Sequence, residues 1–259
     1  MKNLGCILVA FVFGIFMMQA SNPDWGSTGH RTVGQIAEGY LKGKTKRKIE
    51  KLLDGKSLAL VATFGDDIKS DKRYKEFYTW HYINMPLDMD YQNSEKNPEG
   101  DLITGIEKCK SVILDENSSN EDKVFYLKLM VHFMGDLHQP MHIGRKEDKG
   151  GNAIDVKWFG SNTNLHSVWD SKMIGQFDMS FTELAENAGK LNKEQVKKIE
   201  SGTLVDWVND THKFSVEVYG TAVQDENLSY EYMYKYFGIT QSQLQKAGIR
   251  LAKVLNDLF

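Results

Sequence analysis

Between Val124 and Leu137 the chain is apolar enough to form a helix buried on most sides, yet it carries His132 and Asp136 within that run. Four residues apart on a helix, the two side chains project from one face. Phe125, Leu129 and Phe133 surround them in sequence. Burying an imidazole and a carboxylate among such neighbours is costly unless they are paired or coordinate a metal. Any fold that contains this helix must therefore bring partners to it. A hydrogen-bonded His–Asp pair would meet that need, and so would a metal ion. Leu165-His166-Ser-Val-Trp-Asp170 repeats the same spacing, and Asp136-Leu-His138-Gln-Pro140-Met-His142 adds a further imidazole after a helix-ending proline. Two pairs plus His142 point to metal. Imidazole and carboxylate donors without thiolates suit zinc in sites that keep a position open for water.

The remaining pattern predicts a mainly α, single-domain, multi-helix fold with a small β-hairpin. Only four prolines occur in 259 residues, and no internal repeat is found. Helical periodicity covers Thr28 to Leu41, Val124 to Leu137 and Val205 to Tyr219. Leu244, Ala247, Leu251 and Leu255 share a further helical face. Ile154 to Trp158 is the best strand candidate, preceded by the turn-forming Gly150-Gly151-Asn152. Asp88 to Gly100 and Glu116 to Asp122 read as surface loops, and Lys44 to Lys51 as a solvated helix face. At the N-terminus, Lys2 followed by the apolar run Ile7 to Met18 reads as a secretory signal peptide over residues 1–20, with an end at 24 as the alternative. That leaves residues 25–259 as one soluble domain, secreted or periplasmic, with no stable membrane insertion. Cys109 is then the sole cysteine of the mature chain, which excludes an internal disulfide and a thiolate-closed metal site. The formal net charge is −3, whereas a protein that binds nucleic acid by phosphate neutralisation alone is usually basic. If the substrate is a polyphosphate, bound cations must help attract it.

Two more segments complete the pattern: Trp25-Gly-Ser-Thr-Gly-His30, and Asp66 followed by Trp80-His81-Tyr82-Ile83-Asn84. With these the chain resembles the trinuclear-zinc nucleases of the S1/P1 type, which share a fold with bacterial zinc phospholipase C. The resemblance runs from Trp25 to about Tyr219. It implies three zinc ions. Asp66, His81, His132 and Asp136 would hold one, and His142, His166 and Asp170 a second. Trp25, through its free amino group and carbonyl, would hold the third with His30 and Asp136, making Asp136 a bridge. Asp66 and Lys69 would act at the scissile phosphate. Tyr82 and Asn84 would stack and hydrogen-bond a nucleobase, Asn84 standing where some members carry an aspartate.

The implied activity is cleavage of single-stranded RNA or DNA to 5′-phosphate products by metal-activated hydroxide, with 3′-nucleotidase activity, by a monomer whose partners are single-stranded nucleic acid or nucleotides. A zinc phospholipase C acting on lipid head groups is the alternative, and a zinc-binding protein without catalysis a third possibility. Outside the set, His138 reads as a packing residue, His212 as a surface or satisfied histidine, and Gly151 and Asn152 as turn formers. The residues before Trp25, Asn22-Pro23-Asp24, do not form a small-residue cleavage site, so either a trimming step beyond Ala20 releases its amino group or the third site uses other donors, such as Asp24 or the Trp25 carbonyl alone.

Overall fold

The computed structural model describes residues 26–259. In chain order its helices are α1 (Ser27–Tyr40), α2 (Gly43–Leu52), α3 (Leu58–Val61), α4 (Phe64–Asp67), α5 (Leu102–Leu114) and α6 (Asn120–Asp136). There follow α7 (Leu165–Ser167), α8 (Met173–Phe177), α9 (Phe181–Glu186), α10 (Lys193–Glu200), α11 (Leu204–Tyr219) and α12 (Tyr230–Leu258). The architecture is mainly α, as the sequence predicts. The expected helices match α1, α6, α11 and α12 to within a few residues, apart from the longer start of α6 and the extra turns of α12.

Helix α6 is the centre of the molecule. Ser119 caps its start by accepting a hydrogen bond from the Asp122 N–H. From Leu129 to Asp136 every residue is buried. A helix apolar on all sides needs neighbours on all sides, and α1, α3, α4, α5 and α12 pack around it. Its last residue is Asp136, after which Pro140 opens a 3₁₀ turn, Pro140–Ile143, that carries His142. Pro140 thus begins the next turn, four residues beyond the last helical one.

The expected hairpin is present, β1 (Asp155–Trp158) pairing antiparallel with β2 (Ser161–Asn164). A two-residue strand, β3 (Asn227–Leu228), adds to β1 in parallel. It anchors the entry to α12 but is too short to leave a periodic trace in the sequence. The chain between α7 and α8, Val168–Lys172, winds as a π-helix. The His166 to Asp170 spacing is therefore carried by an α-to-π junction, a feature often found at functional sites. A 3₁₀ segment, Lys72–His81, leads to His81, and the extended residues after it run beside the His142 turn. Ile83 N–H donates to the His142 carbonyl at 2.8 Å and Met85 N–H to that of Gly144 at 2.9 Å. Among the described residues no helix is long and apolar enough to cross a membrane.

Helices α1 and α12 meet at close quarters. A Cβ built on Gly248 of α12 would lie 2.5 Å from Ile36 of α1, whereas one built on Gly238 of the same helix meets nothing within 4 Å. Alanine in place of glycine within a helix is worth roughly 0.5–1 kcal/mol, while overpacking costs about 1–3 kcal/mol. Gly238→Ala should therefore raise the urea midpoint and Gly248→Ala should lower it. Two shifts of the same sign would contradict this packing.

Candidate metal centre

The C-terminal end of α6 places His132 and Asp136 at the middle of a group of imidazoles and carboxylates drawn from the whole chain. Helix α1 brings His30, α4 brings Asp66, and the 3₁₀ segment ends on His81. The Pro140 turn brings His142, and the α7–π junction brings His166 and Asp170. Asp136 is fully buried and lies among four of the rings. Its Oδ1 is 3.3 Å from His30 Nε2 and 3.4 Å from His142 Nδ1. Its Oδ2 is 2.9 Å from His81 Nδ1 and 3.3 Å from His132 Nε2. Asp66 Oδ1 is 3.4 Å from His132 Nε2, and Asp170 Oδ1 is 3.5 Å from His142 Nε2.

The far nitrogens of three rings are engaged by the backbone. The Nδ1 atoms of His132, His142 and His166 lie 2.8, 2.7 and 2.8 Å from the carbonyls of Ala62, His81 and Gly150. A carbonyl accepts only from N–H, so each Nδ1 carries a proton, and in the neutral ring that a metal requires Nε2 is left with the lone pair. This is the usual outer support of a metal-ligating histidine. Gln139 does the same for a carboxylate, donating from Nε2 to Asp170 Oδ1 at 2.8 Å.

Burial and the neighbouring carboxylates push the rings in opposite directions. Burial pushes His81 down to about 3, opposed by its bond to Asp136. Burial also opposes charge on His132, but Asp136 and Asp66 outweigh it and raise the ring to about 10. Asp136 is itself held well below the usual carboxylate range, since His132 and His142 overcome the effect of burial. Burial lowers His166, whereas Asp136 and Asp170 overcome burial at His142 and raise it. Despite these close approaches, Asp136 Oδ1 and His142 Nε2 are buried without an acceptable hydrogen bond. Buried polar atoms are seldom left so. Three donor groups converge within 4.8 Å: His30, Asp66 and His132; His81, His132 and Asp136; His142, His166 and Asp170. The first two share His132. The third is the set expected for one ion, while Asp66 falls with His30 as well as with His132. Trp25, expected to complete the third site, lies outside the described residues. Gly26 beside it donates its N–H to the Asp170 carbonyl at 2.9 Å.

Two glycines make this crowding possible. A Cβ on Gly65 would lie 2.3 Å from the His132 ring, and one on Gly135 2.6 Å from the His30 ring. Each glycine directly precedes a candidate carboxylate ligand. With no side chains there, the His30 and His132 rings stack at 3.9 Å between centroids.

The cluster opens onto a cleft of about 690 Å³ lined by Lys69, Tyr82, Asn84, His81, His142 and His166, among others. Tyr82 and Asn84 share its wall because they alternate with the buried Ile83 and Met85. Lys69 Nζ is 3.0 Å from Asp66 Oδ1, and burial lowers its pKa, with Asp136 and Asp170 opposing. Sequence reasoning did not single out Gln139, Gly65 or Gly135. It also missed Lys146 and Lys149 on the cleft wall, and it gave Asn152, which lines the cleft as well, only a turn-forming role. Proximity to the ligands in sequence is the one signal that marks the first three. His138 packs as expected, between the Met134 carbonyl and Arg250. His212 is buried, its ring nitrogens 3.1 and 3.0 Å from the carbonyls of Ile143 and Pro86, so it is satisfied rather than superficial.

Residues 25–259 match the family described as S1/P1 Nuclease. The chain is similar to Endonuclease 4 of Arabidopsis thaliana, 31% identical over 91% of this chain and 89% of the plant protein. It is similar to Nuclease S1 of Aspergillus oryzae, 29% identical over 90% of this chain and 91% of the fungal one. It is similar also to Nuclease P1 of Penicillium citrinum, 27% identical over 90% and 97% respectively.

Asp136 touches more of the cluster than any other carboxylate. Asp136→Asn should therefore lose more bound metal than Asp170→Asn, measured by elemental analysis of purified protein. Equal losses would count against a shared position for Asp136.

Proposed function

The chain belongs to the S1/P1 nuclease family, and on that premise we propose that it is a zinc-dependent phosphodiesterase that cuts single-stranded RNA or DNA to 5′-phosphate products and also removes phosphate from 3′-nucleotides. The observation that carries this reading is the position of the His/Asp cluster, with its buried unbonded donor atoms, at the wall of a cleft that also presents Tyr82, Asn84 and Lys69. The donor set, all imidazole and carboxylate, favours zinc.

Three ions would be held by His30, Asp66, His81, His132, Asp136, His142, His166 and Asp170, with Trp25 supplying its amino group and carbonyl. Zinc bound there supplies Lewis acidity, activating water near neutral pH and offsetting charge on the phosphate. The protein's own part is orientation and charge. Asp136 holds rings from four segments in one arrangement, and Gln139 fixes the Asp170 carboxylate. His132 lowers the Asp66 carboxyl against the effect of burial, keeping it ionised as an acceptor for a water proton. Lys69, beside Asp66, balances charge at the scissile phosphate. Tyr82 offers a ring face for a base and Asn84 an amide for its edge. A base within a duplex cannot reach such a platform, which accounts for single-strand preference.

The phospholipase reading is not favoured: a flat aromatic side chain next to an amide suits a nucleobase better than a lipid head group. We further propose that the protein acts as a secreted or periplasmic monomer, that residues 1–20 are removed as a signal peptide, and that trimming to Trp25 frees the amino ligand. N-terminal sequencing of the secreted protein would find Trp25 first, and Ser21 in a fully active protein would overturn that step.

Substrate class is tested by the rates of 5′-phosphate formation from matched single and double strands. Single strands should be cut far faster, and Tyr82→Ala should lower kcat/KM for them by about 5- to 150-fold, the equivalent of about 1–3 kcal/mol of stacking. Equal cleavage of the two forms would overturn the stacking role.

A further inference from the structure

Part of the cleft wall is formed by the segment between the Pro140 turn and β1, and it presents two lysines, Lys146 and Lys149. Both are exposed. The segment under them is built around a buried carboxylate. Asp148 Oδ1 accepts hydrogen bonds from Gly151 N–H and Tyr219 O–H, each at 2.7 Å, and Oδ2 accepts from Arg145 Nε–H at 2.7 Å. The Arg145 N–H donates to Tyr219 Oη at 3.0 Å, and its guanidinium lies 4.2 Å from the centre of the Tyr219 ring. Gly150 N–H closes the loop onto the Arg145 carbonyl at 2.9 Å. The Gly150 carbonyl faces His166 Nδ1, so the loop is braced against the metal cluster.

Two features give this loop a purpose beyond connection. Arg145 already matches the charge of Asp148, so the two cleft-lining ammonium groups are not required to hold the loop together. Lys149 has φ +56°, directly before two glycines at +64° and +79°. The left-handed region costs a side chain roughly 1–2 kcal/mol that glycine avoids. A lysine there, on a hydrogen-bonded base and at the edge of a cleft, places its ammonium where a strand entering the cleft would meet it.

We propose that Lys146 and Lys149 form a second phosphate subsite, which binds backbone phosphates flanking the one that is cut and so favours polynucleotide strands over mononucleotides. This rests on the nuclease reading above. It assigns to a local pair of cations the strand-holding that a chain of net charge −3 cannot supply globally. The contacts are to phosphate and carry no base or sugar preference.

The test uses the zinc-loaded full-length mature enzyme and the double variant Lys146→Ala/Lys149→Gly, glycine being chosen because it accepts the left-handed backbone. KM is measured for a single-stranded oligonucleotide and for a 3′-mononucleotide across a salt series. The variant should raise the oligonucleotide KM by several-fold more than the mononucleotide KM. The log–log salt dependence of the oligonucleotide KM should flatten by about 1.4, the loss of two single-strand phosphate contacts. An unchanged oligonucleotide KM and salt slope would overturn the subsite and leave the nuclease reading standing, as would equal rises for both substrates. A parent enzyme that hydrolyses neither substrate would overturn both.

Discussion

Asp136 is a carboxylate with no access to solvent, placed at the end of the central helix and within 3.4 Å of ring nitrogens from His30, His81, His132 and His142. An ionised group in such a place is tolerated only with paired charge or a metal. Much of the architecture follows from meeting that demand. Four separate segments must meet at one point: α1 reaches it in its first turn, and the other three end or turn there. Helix α6 ends on Asp136 itself, the 3₁₀ segment ends on His81, and a proline turn delivers His142. Room for the rings comes from leaving side chains off Gly65 and Gly135, and ring orientation from carbonyls of Ala62, His81 and Gly150. Removing any one of these supports leaves a polar group buried without a partner, which costs more than the lost bond is worth.

The same arrangement divides labour around the cleft. The cluster side is buried and fixed, whereas the Tyr82 and Asn84 wall is an extended segment clamped to the His142 turn by two backbone hydrogen bonds. Because that segment alternates, one pair of residues faces the core and the next pair the cleft. Another part of the wall is the loop braced by Asp148, which also supports His166 through Gly150. Both parts of the wall are therefore tied to the His/Asp cluster rather than to remote parts of the surface. That gives a substrate geometric precision without a large basic face.

Much of this was legible before folding, and the reasons are local. His132 and Asp136 stand out because helical spacing is short-range and the surrounding residues are apolar. Leu102, Ile106, Cys109 and Ile113 carry the same kind of spacing, so α5 was accessible to the same reasoning although its loop-like flanks hid it. His166 and Asp170 could be paired by spacing, but not the π turn that carries them, since winding depends on the packing of Trp169 and its neighbours. The convergence of six segments is non-local, and only the family resemblance could suggest which histidines would share an ion. Gly65 and Gly135 were opaque for another reason: their role is the absence of atoms, visible only when the facing ring is in place. The left-handed Lys149 reads in sequence as an ordinary surface lysine.

The account stands on the claim that the cluster around Asp136 exists to hold zinc. The most direct measurement is the zinc content of the purified mature protein, before and after exhaustive chelation, with its melting temperature followed in parallel. The account predicts about three zinc ions per chain, and a clear fall in melting temperature on their removal, because ions tie together segments that are distant in sequence. Less than one zinc per chain after expression with adequate zinc, or a melting temperature indifferent to chelation, would contradict it.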